Sequence, residues 1–246
     1  MNFPSIVKDV ALRESLDGLI ENASTATEEV PAYLHDTYNW AYLDPRNVAL
    51  LDRNIVVDVL LFGNARRLMA AALGAIKPAS RVFMAAHVYG DFVNRLADHV
   101  GPAGYLEIID IAPIQVSNCR GKVGRLPYVR VHQADAAERD GRTFDTVLSF
   151  FLLHEVPDGK KRAIVDSLLS RVPPGGNAVF VDYHQPRLWH PVRYILEFVN
   201  SRLEPFAKSL WRHDISAFAS EPERFVWEKQ TFFGGVYQKV VARRQD

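Results

Sequence analysis

Hydrophobic positions along the chain follow two patterns that meet near residue 80. Before it, Leu12, Leu16, Leu19 and Ile20 recur at three- and four-residue steps, and Leu50, Leu51, Val57, Leu60 and Leu61 do the same between residues 47 and 76. That spacing predicts helices, with residues 22–29 as a polar linker and Lys77-Pro78 as a stop. Between them, residues 30–46 (VPAYLHDTYNWAYLDPR) are dense in aromatic side chains. After Ala79, short apolar runs alternate with helical segments. Strands are expected at 81–86, 105–110, 128–132, 144–150 and 178–183, and helices at 91–99, 112–122 and 160–171, the last stopped by Pro173-Pro174-Gly175-Gly176. Such alternation predicts a parallel sheet covered on both faces. Residues 225–233 and 235–242 read as two further strands about the Gly234-Gly235 turn, and residues 186–213 as a long apolar-rich helical region.

The expected fold is therefore α/β: a doubly wound, mostly parallel seven-stranded sheet with a C-terminal antiparallel hairpin and an N-terminal helical extension. Residues 1–79 form the extension packing on the sheet, and residues 80–246 the sheet domain with its helical insertion at 186–213.

Composition narrows the function classes. The 246 residues carry 29 Lys plus Arg against 29 Asp plus Glu. This neutral balance removes a global electrostatic case for nucleic acid, and no nucleic-acid partner is expected. Cys119 is the one cysteine, so neither an internal disulfide nor a cysteine metal site is available, and a reducing compartment is expected. The first 29 residues lack the pattern of an export signal. The most apolar stretch, 55–76, is interrupted by Asp58, Arg66 and Arg67, so a soluble or peripherally bound protein is expected.

Doubly wound sheets bind ligands beyond the carboxyl ends of their strands. Here those ends carry the loop His87-Val88-Tyr89-Gly90-Asp91, then Asp110, placed to hold a ribose hydroxyl pair. They also carry the loop Gln133-Ala134-Asp135-Ala136, whose acid suits an exocyclic adenine amine, and residues 151–156 (FLLHEV). Three strand-end loops of this kind favour a nucleoside site.

This order of elements resembles the class I S-adenosylmethionine-dependent methyltransferases. Gly90 falls at the last glycine of that family's first motif, Asp110 at its ribose acid and Asp135 at its adenine-contacting acid, and the resemblance implies Tyr89, Gly90, Asp110 and Asp135 as cofactor-binding residues. There are departures: Met84 replaces the usual acid of the first strand, and Ala86 and Val88 replace two glycines of the first loop, which narrows the approach of backbone to ligand.

Longer segments are similar to one subfamily, the bacterial rhodoquinone-biosynthesis proteins, which look like methyltransferases but aminate ubiquinone. They are residues 30–46, HVYGDF at 87–92, DIAPIQ at 110–115, FFLLHE at 150–155, VDYH at 181–184, LEPFAKSLW at 203–211 and TFFGGVYQK at 231–239. His87 departs from the small residue expected there. The resemblance implies replacement of a ring methoxy group of ubiquinone by an amino group, with S-adenosylmethionine as amino donor and manganese as helper. Loss of the acid at Met84 fits this chemistry, because a carboxylate would stabilise the ammonium form of an amine that must be unprotonated. Conventional methylation of a quinone or small molecule, and a catalytically silent quinone-binding sheet, are the alternatives.

Amination needs a base for the amine, polarisation of the carbonyl and an acid for the leaving group. His154 and His184 are the leading acid/base candidates, with Asp182 beside them; each imidazole could instead satisfy a hydrogen bond at a strand end. A divalent metal would find carboxylate and imidazole in Asp182 with His154 or His184, Asp91 and Asp135 being alternatives. Asp91 also suits the start of the following helix. Tyr33, Tyr38, Trp40 and Tyr42 could line a slot for a flat ring or pack as core, and Arg46 or Tyr89 could reach a quinone oxygen. Residues 186–213 carry five Lys/Arg against two Glu among aromatic and apolar side chains. They read either as a basic amphipathic surface for an anionic bilayer or as a lid. Ubiquinone in the membrane is the expected substrate, and the bacterial cytoplasm, peripherally at the inner membrane, the expected location. The sequence leaves the oligomeric state open.

Overall fold

The computed structural model describes residues 45–202 and 206–245. Among these, three short helices precede the sheet: α1 (Pro45–Leu51), α2 (Asn54–Leu60) and α3 (Ala65–Leu73). The periodicity predicted continuous helix here, but the chain breaks twice. Phe62 and Gly63 both adopt positive φ, and the Asn64 amide donates to the carbonyls of Leu61 and Phe62, capturing acceptors that a continuing helix would use.

The sheet follows as β1 (Arg81–Ala85), α4 (Phe92–Val100), β2 (Tyr105–Asp110), α5 (Pro113–Val123), β3 (Val129–Gln133), β4 (Thr146–Phe150), α6 (Asp158–Ser170) and β5 (Asn177–Tyr183). Then come α7 (Val192–Arg202), α8 (Lys208–Arg212), β6 (Phe225–Phe232) and β7 (Tyr237–Arg244). The seven strands run in the order β3-β2-β1-β4-β5-β7-β6. β1 to β5 are parallel, while β7 pairs antiparallel with both β5 and β6. The order reverses between β1 and β4, and that reversal opens the crevice in which ligands of such sheets sit.

Strands buried on both faces account for the continuous apolar runs. Val82, Phe83, Met84 and Ala85 of β1 are all buried, as are all five residues of β4. Leu68, Met69 and Ala72 of α3 pack on one face with Met84, Leu148 and Val179; Phe83, Val147 and Phe180 point to the other, against Ile164 and Leu168 of α6. The edge strand β6 exposes Glu228, Lys229 and Gln230, charges and amides that discourage edge-to-edge pairing. No described helix is long and apolar enough to cross a membrane.

Candidate active site

A cavity of about 520 Å³ lies at the carboxyl ends of β1 to β5, within the range for small-molecule sites. Its lining follows the strand order. Asp135 comes from the loop after β3, Asp110 from the end of β2, and Ala86, His87 and Tyr89 from the loop after β1; Phe151, His154 and Glu155 follow β4, and Tyr183 ends β5. Helix α2 and the turn after it add Val57, Leu60 and Phe62, and α7 adds Leu196.

The loop after β1 is built on side chains rather than glycines. Ala86 keeps a positive φ of 66°, a conformation that glycine takes freely and alanine takes at a cost of about 1 kcal/mol. At Gly90, with φ 83°, an added Cβ would crowd the side chains of Asn54 and Val57 of α2. Gly90 is not part of the cavity lining; it lets α2 close on the loop. Asp52, between α1 and α2, accepts from the Gly90 N–H at 3.0 Å and pairs with Lys122 of α5. Lys122 also donates to the Gly90 carbonyl at 2.8 Å and sits 3.2 Å from His87 Nε2. His87 Nδ1 lies 3.0 Å from Gln115 Oε1, and Gln115 Nε2 donates to the Tyr89 hydroxyl at 2.7 Å. Burial and the Lys122 charge lower the His87 pKa to about 4, and burial raises that of Tyr89.

Asp110 anchors the same loop. Its Oδ2 accepts from the His87 N–H and its Oδ1 from the Ala112 N–H, both at 2.8 Å. A third backbone hydrogen bond, from Ile111, leaves the carboxylate about one acceptor site for a ribose hydroxyl. Burial pushes its pKa up to about 6 against these hydrogen bonds. Asp135 accepts from the Ala137 N–H at 2.8 Å and forms an ion pair with Lys160, so an adenine amine would share this carboxylate with Lys160. The residues at the ends of β2 and β3 therefore fit a nucleoside, with Ala134 and Ala136 as small neighbours.

On the other side of the switch point, His154 Nδ1 is 2.9 Å from Asp182 Oδ1. Asp182 is 1% exposed and His154 5%. Asp182 lies behind the cavity wall, whereas His154 lines it. The other Asp182 oxygen accepts from the Leu153 N–H at 2.8 Å, and the Tyr183 N–H donates to Oδ1 at the same distance. His154 Nε2 lies 3.6 Å from Glu155. An imidazole held through Nδ1 by a buried carboxylate and lining a cavity is equipped to accept and return a proton. Its surroundings are aromatic: Tyr183 meets it edge-on at 4.8 Å and Phe151 at 5.9 Å, and Phe151 meets Tyr183 at 5.4 Å. Phe62, Phe151 and Phe233 hold positive φ, and Phe62 stacks on Phe233 at 6.1 Å. Strained residues of this kind concentrate at functional sites.

Of the predicted acid/base pair, the structure brings only His154 into the cavity lining. His184 instead donates from Nδ1 to the Gly235 carbonyl at 2.9 Å, pinning the β6–β7 hairpin to the end of β5. The residues do not fit the expected manganese. Both Asp182 oxygens are taken by protein donors, Asp135 pairs with Lys160, and Asp91 pairs with Arg95 at 2.8 Å. Among the described residues no group of three His, Cys, Asp or Glu could hold a metal ion. Asp91 occupies the N-cap position of α4, but its carboxylate makes no capping bond. Met84 is fully buried in the core between α3 and the sheet and does not reach the cavity. Tyr33, Tyr38, Trp40, Tyr42 and the side chain of Arg46 lie outside the described residues. Sequence reasoning missed Asp52, Lys122, Gln115 and the wall made by α2; Gln115 falls within the DIAPIQ segment, but nothing in the sequence joins it to the others.

This is the fold of the class I methyltransferases, and residues 84–176 match the family model described as "Methyltransferase domain". An O-methyltransferase family protein from Burkholderia thailandensis is similar in structure, with a TM-score of 0.61 and 13% identity over 82% of this chain and 61% of that one. This chain thus spans about three fifths of that protein's length. Human N-acetylserotonin methyltransferase in complex with SAM matches with a TM-score of 0.56 and 14% identity, over 91% of this chain and 65% of that one. The N-methyltransferase NodS from Bradyrhizobium japonicum WM9, in complex with S-adenosyl-L-homocysteine, matches at 0.54 and 15%, over 82% and 94%. No curated protein sequence matches this chain.

Proposed function

We propose that this protein is an S-adenosylmethionine-dependent transferase that converts ubiquinone to rhodoquinone, replacing a ring methoxy group by an amino group. The observation that carries the reading is the His154–Asp182 pair set in a wall of aromatic rings beside a nucleoside-shaped edge. Phe151, Tyr183 and Phe62 line the cavity that a flat ring would enter, and the segments quoted above resemble the quinone-aminating subfamily. The bound S-adenosylmethionine would supply the amino nitrogen.

His154 would take the proton that the amine loses as it joins the ring carbon. The methoxide that departs needs a proton, and the same imidazole can return it, so methanol leaves and the ring is joined to the donor nitrogen. Freeing the amino group would further require breaking the donor's own C–N bond, with a proton lost from the donor's adjacent carbon and one gained by the nitrogen, a transfer the same imidazole would serve. Asp182 would keep Nδ1 protonated while stabilising the imidazolium formed in between. Asp110 and Asp135 would hold the ribose and adenine.

A second reading, conventional methylation, is favoured by the same histidine, since a phenol or amine acceptor also needs a base, and by the O- and N-methyltransferases that share the fold. Incubation with S-adenosylmethionine and ubiquinone separates the two: an amino-substituted quinone supports the first, a methylated product the second.

The substrate would be reached at a membrane surface from the bacterial cytoplasm. Leu188, Trp189, Tyr194 and Ile195 are all more than half exposed, in a segment with an excess of three positive charges. Leu196, next to Ile195, lines the cavity. Exposed aromatic and aliphatic side chains with interleaved bases suit an anionic bilayer.

A further inference from the structure

We propose that Lys161 is a positioning residue: its buried ammonium ties the turn that carries His154 to the segment leading into α8, so that the histidine keeps its place in the cavity wall only while that segment is seated. The inference deepens the function above and rests on it for the role of His154, but the tie itself is read from the protein alone.

His154 sits in the 3₁₀ turn Leu153–Glu155, between β4 and α6. The start of that turn is fixed from β5, where Asp182 accepts from the Leu153 N–H at 2.8 Å. Its far end is fixed from α6, where Lys161 Nζ donates to the Val156 carbonyl at 2.7 Å. The same ammonium donates to the Phe206 carbonyl at 2.8 Å, just before α8, and to Asp158 at 3.0 Å. Three acceptors take all three lysine hydrogens. Lys161 is not part of the cavity lining, while His154 and Val156 are, so the lysine acts on the site through the turn and not on a ligand.

Burial makes this contact specific. The Lys161 side chain is wholly buried, and burial lowers its pKa, with Asp158 and Asp182 opposing. An ammonium out of water is costly unless its hydrogens are met, and an aliphatic side chain would fill the same space without that cost. What lysine adds is direction: a single atom joins α6, the His154 turn and the approach to α8. That approach is packed against the turn as well. Leu210 of α8 shares a buried cluster with Leu153 and Val156. Ser209 donates to the Phe206 carbonyl at 3.1 Å, and Asp158 bonds to Ser209. Helix α7, just upstream, gives Leu196 to the cavity. Seating α8 and placing His154 are therefore one event.

The position of His154 is read directly by ¹⁵N NMR of histidine-labelled protein, its signals assigned by their loss in His154→Ala. The wild type should show one ring form, with Nδ1 protonated toward Asp182. In Lys161→Met, shown to be folded by circular dichroism, a second ring form or loss of that Nδ1 signature is expected. With it should come a kcat lower by about tenfold and an unchanged affinity for S-adenosylhomocysteine. Unaltered His154 signals, whatever the stability of the variant, would make Lys161 a brace alone and overturn the proposal; so would a loss of cofactor affinity as large as the loss in kcat. Should Lys161→Met fail to fold, Asp158→Ala combined with Ser209→Ala loosens α8 from two partly exposed positions and keeps the lysine bond to Val156. The same change in the His154 signals is then expected, and unaltered signals overturn the proposal. A wild-type chain that turns over neither a quinone nor a methyl acceptor would count against the proposed function, while the imidazole signals would still decide the inference.

Discussion

Asp182 Oδ1 lies 2.9 Å from His154 Nδ1, across the gap between the ends of β5 and β4. Both side chains are buried, yet only the imidazole meets the cavity. The carboxylate is fixed in turn by the N–H groups of Leu153 and Tyr183, so the pair is held by backbone rather than by chance rotamers.

This arrangement separates chemistry from binding. His154→Ala is expected to lower turnover by roughly 10²- to 10⁴-fold and to leave the affinity for S-adenosylhomocysteine near that of the wild type. Asp182→Asn should lower turnover in the same direction, because Nδ1 loses its anionic partner. Initial rates and titration calorimetry on the same preparations check both statements; a comparable loss of cofactor affinity in His154→Ala would contradict the assigned role.

Asp110 gives the cofactor site a pH dependence. A carboxylate accepts from ribose hydroxyls better when ionised, and burial places its pKa at about 6. Affinity for S-adenosylhomocysteine should therefore fall as pH drops through about 6, and the fall should be absent from Asp110→Asn. Calorimetric titrations from pH 5 to 8 are the measurement.

Stability should carry two opposed dependences on pH. The His87 pKa is lowered from 6.5 to about 4, so the unfolded chain binds more protons between those values, and the contribution of His87 is lost as pH falls through that window. The Asp110 pKa is raised from 3.8 to about 6, so its contribution is present below the lower value and lost as pH rises through the upper one. Each is on the order of 3 kcal/mol, and they offset in the wild type. His87→Gln should lose stability as pH rises from 4 to 6, and Asp110→Asn should gain it. Urea midpoints over that range would show the two slopes, and equal slopes in both variants would refute the assignment.

Exposed Trp189 and Ile195 provide the test of membrane contact. Replacing both by Glu should lower co-sedimentation with vesicles containing anionic lipid, leave soluble S-adenosylhomocysteine binding intact, and reduce activity on long-tailed quinone more than on a short-tailed one. Unchanged sedimentation would remove this surface from the account.

The sheet was legible because strands buried on both faces leave short apolar runs such as VFMA at 82–85 and AVFV at 178–181. Their edges moved by only a residue or two: the strand expected at 144–150 begins at Thr146, and that at 128–132 runs Val129–Gln133. The helices before the sheet were less legible. Apolar spacing continues on both sides of the Phe62–Asn64 break, so periodicity alone cannot see a change of direction. In the site, Asp110, Asp135 and His154 followed from their places after strands. His184 occupies a similar place, but β7 runs antiparallel beside β5 and presents the Gly235 carbonyl to its ring. The Asp52–Lys122 pair joins residues 70 apart in the chain, and no local pattern foretells a contact of that kind.

The most direct test is the mass spectrum of a lipid extract. The chain would be produced in a bacterium that makes ubiquinone but no rhodoquinone, beside its His154→Ala variant. The account predicts a quinone in which one methoxy group has become an amino group, present with the wild-type chain and strongly reduced with the variant. Ubiquinone left unaltered, or a methylated product alone, would contradict it.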